Sequence, residues 1–249
     1  MPGTRTSRFT SRLNRRAFIR GASGIGLVAA LVARSHRLAQ SQEATPERTA
    51  EASGFHLVAR VAAEEWTALA TATLAGDEAL AGPDLLAALR NGGFVIYFRH
   101  ARTDFSQDDT DLSDLSNCAT QRNLSAEGRN QARLIGDAIA TLAIPIGDIL
   151  SSELCRTRET AELAFGEATP APDLTSFGTA GSEVEEEERV AALRRLLATP
   201  PAPGSNTVLV GHLFNIQAAA GISLAEGQAA IFRPIASSEA PATPLQTDS

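Results

Sequence analysis

The chain has 249 residues, 43% of them hydrophobic, which is enough for one sizeable core. All 22 basic residues are arginine; eight of them lie in the first 42 residues without one acid, so the remainder sets 14 arginines against 29 acidic residues. A body this acidic repels a phosphate backbone, which excludes nucleic-acid binding, and two cysteines exclude a disulfide-rich scaffold.

The basic N-terminus has an order of its own. Asn14, Arg15, Arg16, Ala17, Phe18, Ile19 and Arg20 resemble the twin-arginine export signal. An uncharged, glycine-containing run over 21–33 follows, too short for a comfortable bilayer span, and then a polar stretch. Basic, apolar and polar regions in that order predict a signal peptide over residues 1–41, with cleavage near Ala39 and Ser41. The expected partner in transit is the twin-arginine translocase. The expected product is periplasmic or extracellular, or membrane-anchored if the signal stays on.

Residues 42–85 read as a linker and N-terminal extension. Within it, 55–61 is a short strand and 63–81 an alanine-rich helix. Asp84 is a cap for a short helix over 85–90, stopped by Asn91, Gly92 and Gly93. The uninterrupted apolar run from Phe94 to Phe98 predicts a strand buried on both faces, hence central in a parallel sheet. Ser125 caps a long helix in which Ile135, Ala138, Ile139 and Leu142 follow three-four spacing. A strand at 148–150, a helix near 156–165 and a helix from Glu183 to Leu197 come next. The acidic start of that last helix, Glu183 to Glu188, suits the helix dipole. Strands at 207–210 and 230–232 complete a domain over 86–235, and 236–249 is a polar tail. Strands alternating with helices predict an α/β fold: a three-layer sandwich, helices on both faces of a mostly parallel central sheet.

Three of these strands run directly into polar residues. Phe94–Phe98 leads to Arg99, His100, Arg102, Thr103 and Asp104. The strand at 148–150 leads to Ser151 and Ser152, with Arg156 a turn later. The strand at 207–210 leads to Gly211 and His212. Ligands of open α/β sheets bind beyond the carboxyl ends of strands, so these groups converge on one crevice. Arg99-His100-Ala101, the segment Leu124 to Ala132, the segment Ser151 to Ala161, and Leu209 to His212 resemble, in order, the signature segments of the histidine phosphatase (phosphoglycerate mutase-like) superfamily.

That resemblance implies a phosphomonoesterase in which His100 attacks phosphorus, a phosphohistidine forms, and water hydrolyses it. Arg99 and Arg156 then hold the phosphoryl oxygens in the planar, bidentate manner of guanidinium, and their field keeps His100 neutral. His212 stabilises the equatorial oxygens. Arg102 and Thr103 are candidate substrate contacts. No cofactor or metal is called for, because arginine and histidine supply the positive charge. The substrate is a phosphorylated small molecule or a phosphoprotein.

Three departures from the pattern stand out. The signature glycine is Ala101, the next position is Arg102 where the mutase-like branch often has an acid or amide, and Leu213 rather than an acid follows His212. The proton donor is therefore open between Asp104, close to the nucleophile in sequence, and Glu226, with the acidic run from Glu183 to Glu188 as a further candidate. Only 55 residues separate Arg156 from His212, little room for a lid. The competing reading is a catalytically weak phosphate-binding protein of the same fold; a third is an anchored structural protein of the envelope. Cys118 and Cys155 flank the segments assigned to the site, and either a disulfide or two buried thiols suits them.

Overall fold

The structure, a computed structural model, describes residues 54–66, 80, 82–176, 179 and 182–235. The export signal, the linker up to residue 53, most of the helix expected at 63–81 and the tail from 236 lie outside the described residues.

The apolar run after Gly93 forms β2 (Val95–Arg99), whose first four side chains are all buried. Alternation sends Val95 and Tyr97 to one face of the sheet and Ile96 and Phe98 to the other. Among the described residues, six strands make one sheet. They are β1 (Phe55–Val61), β2, β3 (Ile146–Ser151), β4 (Thr169–Pro170), β5 (Asn206–Gly211) and β6 (Ala229–Pro234), ordered β1-β6-β2-β5-β3-β4. β2, β5, β3 and β4 pair in parallel; β6 runs against both β1 and β2.

The fold is therefore the mostly parallel α/β sandwich read from the sequence. Two particulars differ. β2 is central, but only its β5 edge is parallel. And β1 is a sheet strand whose residues Val58, Ala59 and Val61 join the core together with Trp66, so the folded unit reaches back to Phe55 rather than starting at residue 86.

On one face, α1 (Gly82–Asn91), α2 (Ala126–Thr141) and α3 (Cys155–Phe165) pack Leu85, Leu89, Ile135, Ile139 and Ala161 against Ile96, Phe98, Val208 and Val210. On the other, α4 (Glu183–Ala198) and α5 (Leu213–Ala220) pack Leu193, Leu197, Ile216 and Ala219 against Tyr97, Leu209 and Phe232. Each fully buried leucine or phenylalanine contributes roughly 1.5–3 kcal/mol of transfer free energy.

α1 starts at Gly82, so Asp84 sits inside its first turn and complements the dipole rather than capping. Ser125 caps α2 through the Gly128 amide, 3.0 Å away. Ser182 caps α4, and the acids expected to open that helix do so, Glu185 pairing with Arg189. Neither α5 nor β4 is read from the sequence.

Candidate active site

β2 and β5 lie side by side in register Arg99 with Gly211, so both end at the same level of the sheet. The His100 amide donates to the Gly211 carbonyl at 3.0 Å, and the Ser152 amide to the Val210 carbonyl at 3.0 Å. The ladder thus carries His100, His212 and Ser152 into one place with no loop freedom. The two imidazoles sit with ring centroids 5.5 Å apart, and each residue is 3% exposed.

Each ring has a fixed partner. Nδ1 of His100 lies 2.9 Å from the Ala101 carbonyl oxygen. A carbonyl only accepts, so Nδ1 carries the hydrogen and Nε2 keeps its lone pair. Nε2 of His212 lies 2.8 Å from the Ser152 hydroxyl, and the Tyr97 hydroxyl donates to the His212 carbonyl at 2.8 Å. Burial, with the nearby positive charges of Arg156, Arg99 and Arg122 adding to it, pushes the His100 imidazole down to about 3, even though the Ala101 bond works the other way. His212 is pushed down as well, by burial first and then by His100 and the same three arginines. Both rings are neutral across the physiological range.

The cations come from different segments. Arg99 ends β2, donates through Nη1 to the Leu224 carbonyl at 3.0 Å and faces Glu226 at 3.5 Å. Arg156 opens α3, is 4% exposed, and donates to Asp109 at 3.0 Å. Burial lowers the proton affinity of both guanidiniums, with Glu226 opposing it at Arg99 and Asp109 at Arg156. The Nε atoms of Arg99, Arg156 and Arg122 are all buried without a hydrogen-bond partner. The charges of all three guanidiniums reach the imidazole pair.

The loop that follows β2 is fitted tightly. The Ala101 methyl, where a glycine was the pattern, is fully buried and packs with Leu124 and Ala132, while its amide donates to the Thr160 hydroxyl. Gly128 of α2 lies against the Arg102 carbonyl so closely that a β-carbon there would overlap it. Gln131 reaches from α2 to accept from the Arg102 amide and donate to the Glu226 carbonyl.

Of the two carboxylates considered as acids, the structure brings only Glu226 into this cluster. The Thr103 hydroxyl donates to it at 2.8 Å and Arg99 pairs with it. Asp104 instead accepts from the amide and hydroxyl of Ser106 and from Gln107, within its own loop, and these bonds lower its proton affinity. It lines a separate surface depression with Asn123, Glu127 and Glu159. Thr103 is 5% exposed and engaged with Glu226, so it is a positioning partner rather than a free substrate contact. Arg102 is exposed, and its charge acts on Glu127. The third arginine at the pair is Arg122.

Arg122 belongs to the loop 104–123, which leaves the His100 segment and returns to α2. Cys118 on that loop and Cys155 at the start of α3 form a disulfide, with Cα atoms 5.7 Å apart. The alternative of two free thiols is thereby set aside. Gln121 accepts from the Cys155 amide at 2.9 Å, and Asp109 accepts from both Arg156 and the Arg122 amide. Among the described residues, no group of three or more histidine, cysteine or acidic side chains is arranged to hold a metal.

Residues 95–177 match the family model of the histidine phosphatase superfamily, branch 1. The match supports that superfamily, whose members are phosphatases or mutases. No curated protein matches significantly. Among solved structures, the chain is similar to a candidate phosphohistidine phosphatase SixA from Nakamurella multipartitia, at 23% identity, TM-score 0.34, covering 51% of this chain and 63% of that one. A candidate phosphohistidine phosphatase SixA from Agrobacterium tumefaciens gives 21%, 0.35, 57% and 96%. TTHB049 from Thermus thermophilus gives 24%, 0.38, 55% and 92%. Nothing about activity follows from likenesses this distant.

Proposed function

We propose that this protein is an exported phosphomonoesterase that works through a phosphohistidine intermediate on His100. The observation that carries the reading is the His100 ring itself: Nδ1 tied to a carbonyl, Nε2 free to attack, and arginine charge on several sides. Arg99 and Arg156 hold two phosphoryl oxygens, and His212, oriented by Ser152, donates to a third as charge builds on it.

In the first step Nε2 of His100 bonds to phosphorus as the ester P–O bond breaks. The leaving oxygen takes a proton from Glu226, the carboxylate that pairs with Arg99 in the free site and takes up that proton as the phosphoryl group replaces it on Arg99. In the second step water attacks phosphorus, the P–N bond breaks, and Glu226 recovers a proton from that water. Between Arg156 and His212 the described residues form only the layers of the sandwich, with no inserted lid, which favours hydrolysis over the water exclusion a mutase requires. The substrate is a phosphorylated small molecule or a phosphoprotein. Export rests on the N-terminal signal, with the twin-arginine translocase as partner; among the described residues no helix is long and apolar enough to cross a membrane.

The test is turnover of an aryl phosphate by the purified chain, with detection of a phosphorylated histidine after an alkaline detergent quench, since the P–N bond is lost in acid. We expect the wild type to hydrolyse it and His100→Ala, still folded by circular dichroism, to fall to background. Near-normal turnover by that variant would overturn the mechanism.

A further inference from the structure

The pocket's charge balance points to a residue outside the two-arginine, two-histidine set. Arg99 faces Glu226, and Arg156 faces Asp109. Each pair is close to neutral, and both imidazoles are uncharged. A pocket built of these groups alone has almost no net charge with which to draw in a phosphoryl dianion.

Arg122 changes that balance. Its carbonyl accepts from Nη1 of Arg156 at 3.4 Å, and its amide donates to Asp109 at 2.9 Å, so its backbone abuts the Arg156 guanidinium. Its side chain makes no ion pair and donates no hydrogen bond among the described residues, and Nε is buried without a partner. On one side the guanidinium lies over the Phe105 ring, 5.1 Å from its centroid. A ring face orients a guanidinium without using its donors. Its charge is felt at Arg99, Arg156, His100 and His212, so the guanidinium lies within electrostatic reach of all four. An arginine held by stacking, with donors unused, beside a nucleophile is built for an anion that arrives from solution.

We propose that Arg122 is a third phosphoryl ligand, and that its uncompensated charge makes the pocket select dianionic phosphate monoesters. The inference rests on the phosphatase reading given above and names the part of that site which sets substrate charge. The loop 104–123 is then a working part of the site: it carries Arg122 inward and is fastened to the Arg156 segment by Asp109, Gln121 and the Cys118–Cys155 bridge.

The experiment is binding of inorganic phosphate to the purified, oxidised chain by calorimetry, beside aryl phosphate turnover, for wild type, Arg122→Gln and Arg122→Lys. Folding is checked by thermal midpoint. We expect Arg122→Gln to lose tenfold or more in phosphate affinity and about 100-fold in kcat/KM, the scale of removing one preorganised donor. Arg122→Lys, which keeps a charge but not the fork, falls between the two and stands in if the glutamine variant does not fold. Phosphate affinity of Arg122→Gln within tenfold of wild type overturns the inference, as does a lysine variant indistinguishable from wild type. A wild type that binds phosphate but never turns over an ester sinks the phosphatase reading instead and leaves the binding comparison to decide on Arg122.

Discussion

The site has two halves that are held in unlike ways. His100, His212 and Ser152 stand at the ends of β2, β5 and β3, fixed by ladder hydrogen bonds and by a core of fully buried side chains beneath them. Arg122 and Asp109 stand on an exposed loop, tied down by side-chain bonds to backbone and by one disulfide. The histidine half inherits the rigidity of the sheet. The loop half depends on a few specific contacts, each replaceable, so it is where specificity can change without endangering the fold.

The sharpest way to test this division is to compare the two carboxylates. Glu226 belongs to the rigid half through Thr103 and Arg99; Asp104 belongs to the loop. We expect Glu226→Gln to cost about 10²–10⁴-fold in turnover of an alkyl phosphate, the usual contribution of a general acid, and much less with a nitrophenyl ester. Asp104→Asn should leave both rates nearly unchanged. Equal losses in the two variants, measured side by side, would erase the distinction.

Arg156 joins the halves, since it rises from α3 yet grips Asp109 on the loop. Arg156→Ala should cost about 2–5 kcal/mol of transition-state stabilisation, the scale for removing one partner of a buried charge pair. Less than a tenfold loss in kcat/KM would place it outside the pocket.

Opening the disulfide by Cys118→Ser with Cys155→Ser should lower unfolding free energy by about 2–4 kcal/mol in denaturant titration. If the loop alone depends on the bridge, phosphate affinity falls as well while the histidine phosphorylation chemistry survives. Unchanged stability on reduction would mean the loop is held by its polar contacts.

The smallest effect is a pH slope. His100 is held near 3 in the fold and titrates near its ordinary value when unfolded, so between those values the unfolded chain binds more protons. Stability therefore falls as pH drops below about 6.5, by at most about 1.4 kcal/mol per pH unit per histidine so buried. The same depression keeps the nucleophile neutral, so kcat/KM should show no acid limb near pH 6.5 from His100. A slope of opposite sign in the wild type that vanishes in His100→Ala would contradict the buried neutral ring.

The sequence made the rigid half readable because its determinants are local. An apolar run bounded by glycines says strand, Ser125 says cap, and a histidine directly after each of two buried strands says crevice. α5 was not readable: Leu213–Ala220 is short, apolar and opens on His212, which makes no capping bond, so neither period nor cap marked it. β1 is legible as a strand but not as part of the domain, because its partner β6 lies at the other end of the chain. The loop half was the least legible. Nothing near Arg122 in sequence says that its segment is fastened beside Arg156; that follows from Asp109, 13 residues back, and Cys155, beyond α2. Asp104 looked apt by proximity to His100, whereas Thr103 reaches across 123 residues to hold Glu226.

The bond from His100 Nδ1 to the carbonyl of the very next residue also decides regiochemistry. Turning the imidazole over would break that bond and leave a buried donor unsatisfied, a cost of about 1–3 kcal/mol. Only one ring nitrogen is therefore offered to an incoming electrophile. A covalent adduct on this side chain should be a single positional isomer, substituted at Nε2, giving one phosphorus resonance rather than two.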